Sequence, residues 1–357
     1  MSHLFGRILV MSIAAIVAVL GLWALSSGST FAQSQFFASK TITVVLGGPP
    51  AGSADMRTRA VTNLLRKHIP GNPNIVIQYM PAGGGRQAAN HVFNVAKPDG
   101  LTLGSMGAAL VANAVLSEPG VQYDIDKFIY LGTPDSAQHY LFITHRDAGL
   151  NTLEKLRAAP AVRVGGQSVG HPVYITGRLF AYMLGLNEPK FVTGYTGPQL
   201  DIAITRREID ARVTIAETML VRSREWLDKG MVDILPGIEI PKGKKNARFA
   251  GLPDLESFAR SDREKRLLEM FRAFRLAGQN FFVPPATPKQ RAEILQEAMR
   301  KTFTDPEFEK EYERTAGDTP SPLAPEALQK VIRDLPRDVA TVEVFNKLAG
   351  ADLLPPR

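Results

Sequence analysis

Thr41-Ile42-Thr43-Val44-Val45-Leu46 is a short β-branched and aliphatic run that stops at Gly47-Gly48-Pro49-Pro50, and over residues 55–68 apolar side chains return at helical spacing. That is a strand, a loop and a helix. Asn74-Ile75-Val76-Ile77-Gln78-Tyr79 repeats the pattern, closing at Pro81-Ala82-Gly83-Gly84-Gly85 before helical spacing resumes over residues 87–96. A third short strand, residues 101–104, follows the turn Lys97-Pro98-Asp99-Gly100 and precedes an alanine-rich helix over about residues 108–116. Strand and helix in alternation imply an α/β fold, a mostly parallel sheet with helices on both faces.

Working outward, residues 127–132 and 140–144 are expected as two strands that end the first lobe and supply hinge material. The alternation restarts at Thr152, with a helix to residue 159, a strand at 162–165, a glycine-rich loop and a helix over 174–184. A strand at 190–192, a helix near 199–205, a strand at 209–213 and a helix around 220–229 continue this second lobe. Residues 236–262, rich in Gly, Pro and Lys, are expected as surface loop. A helix over 261–275 leads to a strand at 279–283, the return crossing, and helices over 288–304, 306–315 and 325–335 are expected to pack on the first lobe. The partition is residues 33–144 and 279–357 for lobe one and 145–278 for lobe two.

A chain of 357 residues suits two lobes, because single cores stop growing at roughly 250–300 residues. The segment before the first strand differs in kind. Arg7 precedes an uncharged apolar run over residues 8–25, followed by Ser26-Ser27-Gly28-Ser29 and then Thr30 and Ala32 as an A-x-A-like site. This predicts a signal peptide over residues 1–32 and a periplasmic protein. The alternative is an uncleaved anchor, since about 18 apolar residues nearly cross a bilayer core of ~30 Å. With no cysteine, disulfides, thiolate metal sites and a Cys nucleophile are excluded. The net charge of +7 favours anionic ligands weakly, and the basic residues form no aromatic-interleaved stripe, so nucleic acid is not an expected partner.

Four glycine-bearing loops carry the candidate site. In the first lobe they are Pro50-Ala51-Gly52-Ser53 with Asp55, and Ala82-Gly83-Gly84-Gly85 with Arg86; in the second, Gln167-Ser168-Val169-Gly170-His171, and Tyr195-Thr196-Gly197. Each follows a strand and opens a helix, and loops at the carboxyl ends of parallel strands border one crevice. Helix N-termini present unsatisfied N–H groups and partial positive charge, enough to hold a carboxylate without a charged side chain. Taken singly, each loop could equally be an ordinary strand-to-helix turn. Asp55 is either a helix-stabilising acid or a ligand contact, Arg86 opposes its own helix dipole unless it meets an anion, and His171 is either a ligand contact or a surface loop residue. Motifs for a hydrolase elbow, a zinc protease or a phosphate-binding loop are absent, as is any metal-spaced His/Asp/Glu cluster. No cofactor and no metal are expected, and no catalysis.

Taken in order, these residues resemble the receptors of tripartite tricarboxylate transporters, the Bug-type periplasmic binding proteins. Pro50-Ala51-Gly52-Ser53-Ala54-Asp55-Met56-Arg57-Thr58-Arg59 is similar to that family's P-G-G-x-x-D-x-x-A-R, with Ala51 in place of a glycine. Pro81-Ala82-Gly83-Gly84-Gly85 with Pro98-Asp99-Gly100 resembles P-G-A-G-G and its downstream P-D-G, with Ala82 again replacing a glycine. Val192-Thr193-Gly194-Tyr195-Thr196-Gly197 with Glu208-Ile209-Asp210 looks like V-T-G-Y-x-G…G-E-V-D, and Phe282-Val283-Pro284-Pro285 resembles the family's return strand. The resemblance implies a type II periplasmic-binding fold, two α/β lobes with a ligand cleft between them. It also implies a small carboxylate held largely by backbone amides and handed to a membrane permease, by a protein expected to be a monomer. The alternatives are a sensing subunit of the same fold feeding a two-component system, or a secreted hydrolase built on Ser168 and His171.

Overall fold

The computed structural model describes residues 36–244 and 246–357. The expected signal segment and its cleavage point lie outside the described residues. Along the chain the elements are β1 (Thr41–Leu46), α1 (Ser53–His68), β2 (Asn74–Tyr79), α2 (Arg86–Asn94), β3 (Thr102–Met106), α3 (Ala109–Val115), β4 (Ile129–Gly132) and β5 (Gln138–His145). There follow α4 (Leu153–Ala158), β6 (Arg163–Gly165), α5 (Pro172–Leu184), β7 (Lys190–Val192), α6 (Gly197–Thr205), β8 (Ala211–Ile215), α7 (Ala216–Arg222), α8 (Arg224–Asp228) and β9 (Val232–Ile240). The last are α9 (Asp262–Leu276), β10 (Asn280–Val283), α10 (Lys289–Phe303), α11 (Phe308–Ala316), α12 (Pro325–Arg333) and α13 (Val339–Ala349).

The chain divides into two compact units: one runs to Met106 and takes in Gln122–Gly132 and Asn280–Pro320, and the other holds Gly107–Val121, Thr133–Gln279 and Ser321–Arg357. The first unit's sheet has the order β2-β1-β3-β10-β4. β1 lies parallel to β2 and β3, and β10 runs antiparallel to β3 and β4. A strand between two parallel neighbours is covered on both faces, which is why Val44, Val45 and Leu46 form an unbroken buried run. Ile42, Val61, Leu65, Leu103, Phe281 and Met299 share the core. Gly104 of β3 pairs with Phe282 of β10, and a Cβ on Gly104 would stand 2.4 Å from the Phe282 ring. The ring packs in turn on Phe128 at a tilt of 47°, with centroids 4.3 Å apart.

The second unit's sheet, β7-β6-β8-β5-β9, has the same plan: β6 is parallel to β7 and β8, and β5 runs antiparallel to β8 and β9. Leu141, Ile143, Leu200, Ile204, Ile209 and Trp226 form its core.

Three expectations are corrected. β5, expected at the end of lobe one over 140–144, is the fourth strand of the second sheet. It is buried along almost its whole length, so its sequence announces a core strand without saying which sheet receives it. The start of the expected 236–262 loop is instead the second half of β9, which takes in Pro236 and Gly237. β9 is an edge strand, and its register against β5 slips between Leu141 and Ile143, opposite the proline; an edge and a bulge are where a strand tolerates Pro. Finally, residues 107–121 and 321–357 belong to the second unit, so α12 and α13 pack there and not on the first. Phe345 of α13 meets Phe274 of α9 edge-on at 5.2 Å. Amphipathic spacing tells that a helix has an apolar face but not what that face meets. Among the described residues, no helix is long and apolar enough to cross a membrane.

Candidate functional site

In the first unit both expected loops leave neighbouring parallel strands, β1 and β2, at their carboxyl ends and meet backbone to backbone. A Cβ on Gly47 would lie 3.0 Å from the Gly85 Cα, and a Cβ on Gly85 would lie 3.0 Å from the Gly47 carbonyl oxygen. Gly83, Gly84 and Gly85 take φ values of 62°, 62° and 91°, a left-handed run open to glycine at little cost. Ala82 needs no such freedom, because it starts the short 3₁₀ turn that these glycines continue.

Ala51 is different: its φ is +59°, where an L side chain is strained. Its N–H donates to Asp55 Oδ2 at 2.8 Å. The same buried carboxylate accepts from the Tyr79 hydroxyl at 3.0 Å and pairs with Arg59 Nε at 3.0 Å. Asp55, one of the expected ligand contacts, is therefore committed to shaping the loop from beneath. Gly52 then caps α1 in extended conformation, with no side-chain cap. The first intrahelical bond runs from the Met56 N–H to the Gly52 carbonyl at 3.0 Å, leaving the amides of Ser53 and Ala54 ahead of it. Pro50, Ala51 and Ser53 are exposed.

α2 likewise starts without a side-chain cap, at Gly85. Arg86 folds back over its own loop, since a Cβ on Gly83 would lie 3.5 Å from Arg86 Nε. It also stands close enough to the buried Tyr123 to oppose the burial that drives that hydroxyl upward from its ordinary range.

In the second unit the two loops are tied across each other. The Gly166 N–H donates to the Val192 carbonyl at 2.8 Å, and the Gly194 N–H to the Gln167 carbonyl at 2.8 Å. Ser168 and Gly170 are exposed at the tip, where the His171 N–H closes a turn on the Ser168 carbonyl at 3.0 Å. His171 is the N-cap of α5, its Nδ1 accepting from the Val173 N–H at 3.2 Å. Burial first, and Arg275 second, pull its pKa below the usual imidazole value. Tyr195 packs on the unit's core, and its hydroxyl donates to Glu208 Oε2 at 3.4 Å. Thr196 caps α6, and its own N–H is taken by Gln199 Oε1 at 2.8 Å. In the first turn of α6 Gly197 supplies an amide and Pro198 none.

Gln167 and Gly197 open onto a pocket of about 240 Å³ whose other polar walls are Thr176, Arg212, Thr214, Thr218 and Arg222. Asp201 of α6 holds the two cations. It pairs with Arg212 Nη1 and, at 3.4 Å, with Arg222 Nη2. Arg212 is almost fully buried, with Nε donating to the Val213 carbonyl at 3.3 Å. Burial lowers its pKa while Asp201 works to raise it; a guanidinium in this setting stays charged. Two guanidiniums over one carboxylate leave the pocket wall net positive. A larger cavity of about 470 Å³ lies between α5 and the C-terminal segment, walled by Tyr174, Arg178, Phe191 and Leu353, and of the four candidate loops Val169 alone lines it.

The fold is shared with solved structures. A TctC solute-binding protein from Polaromonas matches with a TM-score of 0.63 at 17% identity, over 87% of this chain and 98% of that one. The fold is that of a two-lobed periplasmic binding protein. The periplasmic binding protein BugD matches with a TM-score of 0.54 at 18% identity, over 87% of this chain and 97% of its own. MatC from Rhodopseudomonas palustris, solved with bound malate, matches with a TM-score of 0.53 at 19% identity, over 87% of this chain and 99% of that one. No family model and no curated protein matches the sequence.

On this binding-protein frame the expected residues sort themselves. Gly52, Ser53, Gly83, Gly84, Gly85 and Arg86 gather at two abutting loops of one unit, and Gln167 and Gly197 at a pocket of the other. Asp55 and His171 are turned to shaping helix starts. Arg212 and Arg222 were not singled out by the sequence reading. An arginine inside the otherwise uncharged strand Ala211-Arg212-Val213-Thr214-Ile215 was the available signal, because such a residue is rarely buried without a partner.

Proposed function

We propose that this chain is a periplasmic receptor of the tripartite tricarboxylate type, which captures a small carboxylate or related organic anion and delivers it to a membrane permease. The observation that carries the reading is the pair of uncapped helix starts in the first unit, at Gly52 and Gly85, built onto two loops in backbone contact. Amide donors without side-chain caps are suited to an anion. The net positive pocket wall around Asp201 supports the same ligand sign. Malate in MatC is consistent with it.

Capture without turnover accords with the geometry at Ser168 and His171. A hydrolase would need His171 to take a proton from Ser168, yet its Nδ1 is engaged by the Val173 amide and Ser168 meets it through a main-chain carbonyl. The periplasmic location rests on the apolar segment over residues 8–25 and the A-x-A-like site ending at Ala32.

The test is a panel of mono-, di- and tricarboxylates against the purified protein, read by thermal shift and calorimetry. A true ligand at a hundredfold excess over its Kd stabilises the folded state by about 2.7 kcal/mol. Failure of every carboxylate to shift the transition would sink the proposal.

A further inference from the structure

We infer that the cavity between α5 and the C-terminal segment is a second binding site, for a small hydrophobic monocarboxylate whose acid group meets Arg178. Its lining comes entirely from the second unit, so the inference goes beyond the receptor reading above and does not depend on it.

Arg178 of α5 is 1% exposed, and its hydrogen bonds go to neutral groups. Nε donates to the Leu348 carbonyl at 2.9 Å, Nη2 to the Lys347 and Asp352 carbonyls at 3.1 and 2.6 Å, and Nη1 to the Tyr174 hydroxyl at 3.3 Å. The guanidinium carbon lies 5.4 and 4.8 Å from the ring centroids of Tyr174 and Phe191. Burial draws its pKa down, against smaller opposing pulls from Tyr174 and Asp352. A guanidinium stays charged in such a place. A buried charge answered only by neutral oxygens is costly until an opposite charge reaches it.

Clasping the C-terminal segment accounts for Nε and Nη2 but not for Nη1. The Tyr174 hydroxyl spends its own proton on the Gly350 carbonyl at 2.9 Å, so it only accepts from Arg178. A guanidinium has five N–H donors, and among the described residues one on Nη1 has no acceptor. Arg357 repeats the pattern. Its Nε and Nη2 are taken by Glu264 and the Phe258 carbonyl, whereas its buried Nη1 has no acceptor among the described residues. Both arginines line the one cavity.

The remaining walls define the body of the ligand. At about 470 Å³ the cavity has the size of a small-molecule site, and Tyr174, Tyr182, Leu186, Phe191, Leu353 and Leu354 make it largely apolar. Its two acids, Glu188 and Asp352, are exposed, where water screens them. A single carboxylate turned toward the buried cations, with hydrocarbon among the rings and leucines, meets every one of these features. A dianion would set its second charge against apolar walls or against the acids.

The experiment is isothermal titration of octanoate, hexanoate, 1-octanol and octylamine into the wild-type protein, Arg178→Gln and Leu353→Asp. Octanoate should bind at least about tenfold more tightly than octanol, through a charge-assisted hydrogen bond, and about tenfold more tightly than hexanoate, through two further buried methylenes. Each variant should weaken octanoate at least about tenfold. Leu353 is 89% exposed, so Leu353→Asp should melt like the wild type, and it decides the matter should Arg178→Gln fail to fold. The inference is overturned if octanoate does not bind, if octanol or octylamine binds as tightly, or if octanoate binds a folded variant undiminished. The short hydrophilic carboxylates that test the receptor reading bind or fail to bind on their own account, so the two readings stand or fall separately.

Discussion

Asp55 accepts the Ala51 amide at 2.8 Å and thereby holds a non-glycine residue at a φ of +59°. The strain of Ala51 is offset by a buried carboxylate that also gathers Tyr79 and Arg59. Replacing Ala51 by Gly should therefore raise stability. Left-handed strain of about 1–2 kcal/mol is relieved against about 0.5–1 kcal/mol of extra unfolded-state entropy. The expected net gain of up to about 1.5 kcal/mol is read as a higher urea midpoint with an unchanged slope. Asp55→Ala should do the reverse, losing about 2–3 kcal/mol with the buried hydrogen bonds and weakening carboxylate binding through the loop.

Gly104 has no room for a methyl group, because Phe282 occupies the place of its Cβ. Gly104→Ala is expected to cost about 1–3 kcal/mol through overpacking of β3 against β10. A pairing of Gly104→Ala with Phe282→Leu should be less damaging than the sum of the two, a non-additivity measured by a double-mutant cycle.

Asp305 is hydrogen-bonded first by Lys67, then by the Glu307 amide and His68, and its pKa is drawn down to about 2. A depressed carboxyl pKa contributes stability that is fully present above the unfolded value of 3.8 and is lost as pH falls through the folded value. Acid titration of the unfolding midpoint should thus steepen between about pH 4 and pH 2. Asp305→Asn should flatten that interval.

Arg357 pairs with Glu264 through Nε and Nη2, both at 2.8 Å, and the Glu264 side chain is only 2% exposed. Removing one member of a buried pair strands the other, at a cost of about 3 kcal/mol. Arg357→Ala should lower the urea midpoint accordingly, and Arg357→Ala with Glu264→Gln should recover part of the loss.

β1, β2 and the glycine loops after them were legible because β-branched runs closed by Gly and Pro leave few alternatives. The helix starts at Ser53 and Arg86 followed from the same punctuation. The fate of Ala51 and Ala82 did not: both stand where the resembling family has glycine, yet only Ala51 has a left-handed backbone. β5 and α12 were recognisable as elements, but their destination depends on long-range contacts that local spacing does not encode, and α13 was not anticipated at all. The cluster of Arg212, Asp201 and Arg222 was hidden for the same reason, as its three members come from β8, α6 and α7 and meet only in the folded unit.

The backbone contact between Gly47 and Gly85 has a mechanical consequence. With no side chain to act as a cushion, the seam transmits any shift of one loop directly to the other, so the starts of α1 and α2 move as a single rigid comb of donors. If these loops hold the proposed carboxylate, adaptation to a new anion is channelled away from the seam, to flanking positions such as Ser53 and Arg86 whose side chains can change without prying the two loops apart.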